Sequence, residues 1–379
     1  MIYLDAAATT LQKPDTVRRA VIRALDSCAN PGRSSHRPAM QAAQTVFDCR
    51  CAAAAFFGVE QPERVIFTHN ATHALNIALR SLLGQGGHAV ISSYEHNSVV
   101  RPLEDMATQG VTYTVAPMPL FCPDTVCKAL EQAIRPDTRC VVLNHVSNVF
   151  GYRLPLVEVD ELCAQKGLFL IVDASQSAGI LPLNVSALKA AAFVCMPGHK
   201  GLYGPSGTGI LLCCKDVQPY SVIQGGTGSF SLELRQPELL PDALESGTLN
   251  VIGIAGLREG LRFVSRHREE ICGREEALIQ RLAQGLANAS SCQVWQNDTC
   301  QSGVLSFRLK GWEPETLGQW LADRGICVRC GLHCAPLAHR SGGTLPEGTV
   351  RVSVSAFNTV SQCDRLLALV NEAAKSPET

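Results

Sequence analysis

The apolar run Leu168–Asp173 (LFLIVD) ends in an aspartate, and 27 positions later the segment Pro197–Gly201 (PGHKG) carries Lys200. An unbroken apolar run of this length is typical of a buried strand in a parallel sheet, and ligands lie beyond the carboxyl ends of such strands. A lysine amine can form a Schiff base with an aldehyde cofactor, and a carboxylate can keep a pyridinium nitrogen protonated. Lys200 and Asp173 are therefore the two protein groups that pyridoxal phosphate (PLP) chemistry needs.

Strand-like runs alternate with helical patterns from about residue 15 to 255. Strands are predicted at 64–68, 88–92, 140–144, 168–172, 191–195 and 209–213, and helices at 72–83 and 156–165. This alternation predicts an α/β fold in which helices cover both faces of a mostly parallel sheet. The tail differs, with helices predicted at 251–289, 315–324 and 359–374 and strands at 304–309, 326–329 and 349–356. We predict a large domain over 15–256 and a smaller C-terminal α/β domain over 257–379, on which residues 1–14 pack.

Composition narrows the classes of protein. Hydrophobic residues make up 46% of the 379 positions and charged residues 18%, which is enough for a sizeable core, and the net charge of −1 favours neither nucleic acid nor membrane as a partner. No apolar stretch is long enough to span a membrane, and the first residues do not resemble a secretory signal. We expect a cytoplasmic protein in which most of the 17 cysteines are reduced.

Polar clusters follow several of the predicted strands, and each has two interpretations. The segment 68–73 (THNATH) fits a phosphate-binding helix start, or a simple N-cap by Asn70 or Thr72. His96 fits a residue that stacks on a planar ring, or a solvated loop histidine. Asn148 could bind a ring hydroxyl or start a turn, and the alternative for Asp173 is an Asx-turn. Taken together with Lys200 and in their order along the chain, with each at the carboxyl end of a predicted strand, they form one binding set for PLP.

Cys334 is the candidate nucleophile among the cysteines. It follows Arg329 and His333 in a glycine-containing loop, and cationic neighbours favour the reactive thiolate form. A mobile loop could bring its sulfur over the cofactor. The alternative is a zinc site made of Cys327, Cys330, Cys334 and His333, although no second ligand pair is present. Four further cysteines fit core positions: Cys49, Cys51, Cys213 and Cys214.

Motifs spread over nearly the whole chain carry a family resemblance. They are Tyr3–Thr10 (YLDAAATT), Ala29–His36 (ANPGRSSH), Glu95–His96, Asn148, Asp173–Gln176 (DASQ), Gly198–Pro205 (GHKGLYGP), Val328–Ala335 (VRCGLHCA), Arg351 and Phe357–Thr359 (FNT). The chain resembles the class V aminotransferase family of fold-type I PLP enzymes, and within it the cysteine desulfurase and selenocysteine lyase group. Pro197 and Gly201 depart from the family pattern beside the lysine.

The resemblance assigns roles by position. It implies that Lys200 holds PLP as a Schiff base, that His96 stacks on the ring, that Asp173 pairs with the ring nitrogen and that Gln176 contacts the phenolic oxygen. The phosphate would be held by Thr72, the backbone of His73, His199, and Thr248 of a second subunit, which implies a homodimer. The substrate carboxylate would bind Arg351, with Asn148, Arg329 and His36 nearby, and Asn148 would also contact the cofactor. No metal is implied.

The resemblance also implies an activity. We expect a PLP-dependent cysteine desulfurase that converts L-cysteine to alanine, leaves a persulfide on Cys334 and passes the sulfur to an acceptor protein, as in iron–sulfur cluster assembly. The alternatives are a selenocysteine lyase, an aminotransferase or epimerase of the same family, and a non-catalytic scaffold on a decayed PLP fold.

Overall fold

The computed structural model describes residues 1–32, 34–289 and 291–375, so Arg33 of the segment 29–36 lies outside it. In chain order, the elements up to residue 213 are β1 (Ile2–Tyr3), α1 (Asp15–Ser27), α2 (Arg37–Phe57), β2 (Val65–Thr68), α3 (Ala71–Leu83), β3 (Gly87–Ser92), α4 (Asn97–Ala107), β4 (Val111–Ala116), α5 (Val126–Ala133), β5 (Thr138–Asn144), α6 (Leu156–Lys166), β6 (Phe169–Asp173), β7 (Ala191–Pro197) and β8 (Gly209–Cys213). The remaining elements are α7 (Val251–Ala287), β9 (Cys292–Trp295), β10 (Val304–Leu309), α8 (Pro314–Asp323), β11 (Ile326–Cys327), β12 (Arg329–Gly331), α9 (Pro336–Ser341), β13 (Thr349–Ser353) and α10 (Val360–Ala373).

A seven-stranded sheet with the order β2-β8-β7-β6-β5-β3-β4 forms the centre of the large part. Only β8 runs antiparallel to its neighbours, so the predicted mostly parallel sheet is confirmed. Alternate residues of β6 face opposite sides: Leu170 and Val172 belong to the core cluster that contains residues of α2, α5 and α6, whereas Ile171 belongs to the cluster that contains residues of α3 and α4. Two covered faces explain why this strand is apolar throughout.

The C-terminal part contains a four-stranded antiparallel sheet with the order β12-β13-β10-β9. The predicted single strand at 326–329 is wrong, because the chain there forms two short strands with different partners: β11 pairs with β1, and β12 pairs with β13. The predicted strand at 349–356 ends earlier, at Ser353. The pairing of β1 with β11 ties the N-terminal segment to this part of the chain.

Helix α7 connects the two parts. It begins at the Asn250 cap, whose side chain accepts a hydrogen bond from the Gly253 N–H at 2.9 Å, and it continues for 37 residues. Its first half packs in the core of the large part and its second half in that of the small part. The boundary near residue 256 therefore falls inside a continuous helix and stays a prediction. Among the described residues, no helix is long and apolar enough to cross a membrane.

Candidate active site

A cavity of about 200 Å³ lies where β5, β6 and β7 end and where α3 and α4 begin. Eleven polar residues in its wall come from segments that are far apart in sequence. They are Asn70, Thr72, His96, Ser98, Asn144, Asn148, Asp173, Ser175, Gln176, His199 and Lys200. Seven of the eleven were predicted from the sequence as site residues: Thr72, His96, Asn148, Asp173, Gln176, His199 and Lys200. The fold therefore brings most of the predicted set to one edge of the sheet, as expected for an open α/β sheet.

Lys200 lies in a tight turn directly after β7. The backbone carbonyl of the preceding residue, His199, accepts hydrogen bonds from the Thr10 N–H at 3.1 Å and from the Lys13 ammonium at 3.0 Å, which ties the turn to the N-terminal segment. Burial lowers the pKa of Lys200 to about 8, against the opposing effect of Asp173. A substantial fraction of its amine is therefore neutral near physiological pH, as a nucleophilic amine or a general base requires.

Asp173 ends the central strand β6 and is only 2% exposed. One carboxylate oxygen accepts a hydrogen bond from the Ser175 N–H at 2.9 Å, so the predicted Asx-type contact is present. The side chain nevertheless lines the cavity. The contact and the exposure to the cavity are compatible, because a carboxylate has two oxygens and several acceptor sites. A buried anion at this position is suited to a cationic partner.

His96 is the N-cap of α4, and its ring is held in one orientation. Its Nδ1 accepts a hydrogen bond from the Ser98 N–H at 3.0 Å, which assigns the proton of the neutral ring to Nε2. Burial lowers the pKa of His96 to about 4, so the imidazole is uncharged at neutral pH. A neutral, fixed ring in the cavity wall is suited to stacking on a planar cofactor.

The N-terminus of α3 forms the other end of the cavity. The hydroxyls of Thr72 and Ser98 lie 2.7 Å apart, and both groups line the cavity. Asn70 caps the helix by accepting the His73 N–H at 2.9 Å, so the predicted cap by Asn70 is confirmed and that N–H is already engaged. The hydroxyl pair, the helix dipole and the nearby His199 form a donor set suited to a phosphate.

Asn148 Oδ1 and Arg351 Nε, both near the cavity, are among the buried polar atoms that have no hydrogen-bond partner in the described part of the chain. The rest of each side chain is engaged, since Asn148 Nδ2 donates to the His333 carbonyl at 2.8 Å and Arg351 Nη1 donates to the Asn148 carbonyl at 2.9 Å. An unsatisfied buried group costs about 1–3 kcal/mol, and in a native site it calls for a partner. An acceptor and a cationic donor held in this way fit a ligand that carries a hydroxyl and a carboxylate.

Cys334 is exposed at the edge of the site, in a loop that hydrogen bonds hold in place. Its carbonyl accepts the Asn97 N–H at 2.8 Å, one residue after His96. The residue before it, His333, is buried and lies 3.1 Å from His339 through ring nitrogens. Both His333 and Cys334 have positive φ angles, of 50° and 56°, which non-glycine residues adopt at an energetic cost. Functional loops often carry such strain.

Gln176, which lines the cavity, donates to the Ala7 carbonyl at 3.0 Å. Three other predicted residues do not line this cavity. Arg329 is exposed and pairs across the strands with Arg351. His36 is exposed, and its Nδ1 caps α2. Thr248 lines a separate small cavity of about 30 Å³, which it shares with His73. These four roles stay predictions.

The cysteines fit the expected pattern only in part. All 17 are free thiols, and Cys49 and Cys213 are buried as predicted for core positions, but Cys51 and Cys214 are only half-buried, so the core prediction is wrong for these two. Within the described part of the chain, no three histidine, cysteine or acidic side chains are grouped so as to hold a metal ion.

Sequence reasoning missed three residues around the site. Ser98 escaped notice because a serine two positions after a histidine has no distinctive pattern. Glu95 is fully buried, accepts the Asn144 N–H at 2.7 Å, and has a pKa raised to about 8 by burial. Asp5 reaches Arg351 from 346 positions away, with 2.6 Å between Oδ1 and Nη2. Its place in the Tyr3–Thr10 motif was the only available signal.

The strand order of the central sheet is that of the fold-type I PLP-dependent enzymes. The lysine, the aspartate and the histidine around one cavity agree with this class. The aminotransferase class-V family matches residues 2–366, and the chain belongs to that family.

Curated relatives of this chain are named cysteine desulfurases. It is 32% identical to a probable cysteine desulfurase 1 of Mycobacterium leprae, covering 99% of this chain and 62% of that protein. It is 30% identical to a probable cysteine desulfurase of Methanothermobacter thermautotrophicus, covering 98% of this chain and 94% of that protein. The chain spans less than two thirds of some relatives, including 56% of one from Mycolicibacterium paratuberculosis.

Two solved structures that resemble this chain are also of cysteine desulfurases. The apo structure of a cysteine desulfurase from Thermococcus onnurineus NA1 superposes with a TM-score of 0.90 at 30% identity, covering 99% of this chain and 94% of that one. The cysteine desulfurase CsdA of Escherichia coli, in an S-sulfonic acid form, gives a TM-score of 0.85 at 26% identity, covering 99% and 95%.

Proposed function

We propose that this protein is a PLP-dependent cysteine desulfurase, which converts L-cysteine to alanine and stores the sulfur as a persulfide on Cys334. One observation supports this above the others. The carbonyl of the exposed Cys334 accepts a hydrogen bond from the N–H of Asn97, the residue after His96, and His96 lines the cavity that also holds Lys200 and Asp173. An aminotransferase or epimerase has no need of a thiol at that position.

The residues present fit the cofactor. In this proposal Lys200 would bind it covalently, Asp173 would face the ring nitrogen, His96 would stack on the ring, and Asn148 Oδ1 would accept a hydrogen bond from it. Gln176, Thr72, Ser98 and His199 would complete the set, whereas the predicted contact from the His73 backbone is left out because that N–H is bound to Asn70. When bound, PLP supplies an electron sink for negative charge that develops at the substrate Cα. Asp173 supports that role, because an anion at 2% exposure stabilises a protonated ring nitrogen.

Binding and proton transfer fall to this chain's own side chains. Arg351 holds the substrate carboxylate through its unpartnered Nε, which fixes the orientation of the Cα–H bond. Lys200 becomes a free amine once the substrate amine has taken its place on the cofactor, and its pKa, lowered to about 8 by burial, favours the neutral form that takes the Cα proton. His96 is neutral with its proton on Nε2, so it can hand a proton on.

Sulfur transfer uses the Cys334 thiolate. Its sulfur attacks the substrate sulfur, and the S–S bond forms as the Cβ–S bond breaks. The electron pair of the broken bond stays with the substrate carbon. Protonation of Cβ, followed by return of a proton from Lys200 to Cα, gives alanine. Because Cys334 is exposed, the persulfide is open to a sulfur-acceptor protein, such as one of iron–sulfur cluster assembly.

We further propose a homodimer in which Thr248 serves the phosphate site of the second subunit. The segment between β8 and α7 contains no helix or strand, and it exposes Leu232 and Leu234 almost completely. Apolar side chains exposed in this way indicate a protein interface. The 17 free thiols favour a reducing compartment, which agrees with the cytoplasm.

The test is a sulfur-transfer assay on the purified, PLP-loaded protein. With L-cysteine we expect alanine and sulfide in equal amounts when a reductant is present, and a persulfide on Cys334 when it is not. Cys334→Ala should keep the cofactor absorbance and lose sulfur transfer, whereas the control Cys51→Ala, a half-buried cysteine of α2, should behave like the parent. Sulfide release by Cys334→Ala at the parental rate would rule out the persulfide step. A parallel assay with selenocysteine decides between desulfurase and lyase.

A further inference from the structure

The guanidinium of Arg351 is held by the N-terminal segment. Its Nη2 donates to Asp5 Oδ1 at 2.6 Å, and the arginine side chain is 2% exposed while that of the aspartate is 16% exposed. Nη1 donates to the Asn148 carbonyl at 2.9 Å. Two of the three guanidinium nitrogens are therefore engaged, which fixes the plane of the group. The third, Nε, is buried and has no partner in the described residues.

The backbone places Asp5 beside Arg351 independently of the ion pair. Asp5 forms a parallel bridge with Ser353, two residues after the arginine on β13. The Ser353 N–H donates to the Leu4 carbonyl at 2.9 Å, and the Ala7 N–H donates to Ser353 Oγ at 2.8 Å. These bonds flank Asp5 on both sides, so its carboxylate reaches the guanidinium from a fixed position.

A second cation makes this carboxylate important. Arg329 on β12 lies directly opposite Arg351 on β13, and like charges in such a pair repel. Burial also lowers the pKa of Arg351, and Asp5 opposes that effect. Without Asp5, a buried guanidinium would face another guanidinium with no adjacent anion on the N-terminal segment. The Arg351 side chain would then have a lower free energy in an orientation that points away from its present position.

We propose that Asp5 is a positioning residue for substrate binding: it holds Arg351 so that the free Nε–H meets the substrate's α-carboxylate. The proposal rests on the desulfurase function given above, in which Arg351 binds that carboxylate. Asp5 does not touch the substrate. It sets the affinity of the site for ligands that carry a carboxylate and leaves the affinity for simple amines unchanged.

The test compares two ligands on the PLP-loaded protein. L-Alanine has an amine and a carboxylate, and ethylamine has the amine alone, so their dissociation constants separate the two contributions. Both are measured by titration of the cofactor absorbance, which does not depend on turnover. The parent is compared with Asp5→Asn and with a control of equal charge change, Asp15→Asn, whose side chain is 72% exposed.

We expect Asp5→Asn to weaken L-alanine binding about tenfold, because a charge-assisted contact to a correctly placed arginine is worth about 1.5 kcal/mol or more. Its ethylamine affinity should stay within about twofold of the parent, and Asp15→Asn should match the parent for both ligands. Asp5→Glu, which keeps the charge but moves it, should weaken L-alanine binding by less than Asp5→Asn does and leave ethylamine binding unchanged. This variant is used for the test if Asp5→Asn does not fold.

Two results would overturn the proposal. The first is L-alanine binding by Asp5→Asn that is unchanged or tighter, which would mean that Asp5 competes with the substrate. The second is an equal loss for L-alanine and ethylamine, which would mean a general structural defect. A parent that binds L-alanine no better than ethylamine would contradict the carboxylate role of Arg351, and with it the proposed function as well.

Discussion

The turn that carries Lys200 depends on close backbone contact with α7, and this can be tested at Gly260. A Cβ atom at Gly260 would lie 2.1 Å from the Leu202 carbonyl oxygen and 3.1 Å from the Gly204 nitrogen. The first distance is more than an ångström short of ordinary contact. The opposing atoms are backbone, so neither can move aside without shifting the segment that follows Lys200.

Gly260→Ala should therefore destabilise the protein even though alanine favours helices. The gain in helix propensity is about 1 kcal/mol, and overpacking against backbone costs about 3 kcal/mol, which leaves a net loss of about 2 kcal/mol. Gly273 lies on the same helix and is exposed, and a Cβ atom at this position would have nothing within 4 Å. Gly273→Ala should thus stabilise the protein by about 1 kcal/mol.

Urea unfolding of the parent and both variants measures these changes, and the PLP dissociation constant reports on the lysine turn. We expect Gly260→Ala to lose both stability and cofactor affinity, and Gly273→Ala to lose neither. Equal stabilities for the two variants would refute the claim that the Lys200 turn rests on a glycine contact with α7.

Three further predictions concern charge. Asp173→Asn should keep the covalent cofactor but lower the rate of alanine formation at least about a hundredfold, because the ring nitrogen loses its carboxylate partner. The cofactor absorbance checks the first expectation and an alanine assay the second. Glu95 is uncharged at neutral pH, since burial raises its pKa to about 8, so Glu95→Gln should change the free energy of unfolding by less than about 1 kcal/mol in urea. The free energy of unfolding should fall by at least about 2 kcal/mol from pH 6.5 to 5. Histidines whose pKa is lowered in the folded protein stay neutral there but bind protons once the chain unfolds, and urea unfolding at both pH values measures the change. These histidines are His73, His88, His96, His145, His199, His333 and His339. The raised pKa values of Glu95 and Glu275 act in the opposite direction, but only two groups contribute.

The centre of the fold could be predicted from sequence because its signals are local. The run that forms β6 is apolar on both faces, so its length and composition indicate a buried parallel strand without knowledge of its neighbours. The same holds for the lysine turn, whose glycines and polar residues follow β7 directly. Parallel strands end at one edge, so the chemistry that follows them converges there.

The missed features depend on pairing between distant segments. The run 326–329 looks like one strand, but Ile326 and Cys327 pair with the N-terminal strand and Arg329 pairs with β13, and no periodicity reveals such a change of partner. Asp5 is a similar case. An aspartate just after a short N-terminal strand has no local mark that it neutralises an arginine 346 positions away.

The most direct test of the whole account is to identify the lysine that binds the cofactor. The PLP-loaded protein is reduced with borohydride, digested, and its peptides are mapped by mass spectrometry. Lys13 is the natural competitor, because its ammonium lies 3.0 Å from the His199 carbonyl and burial lowers its pKa to about 8 as well. We predict a pyridoxyl group on Lys200 alone; a label on Lys13, or no label after reduction, would contradict the account.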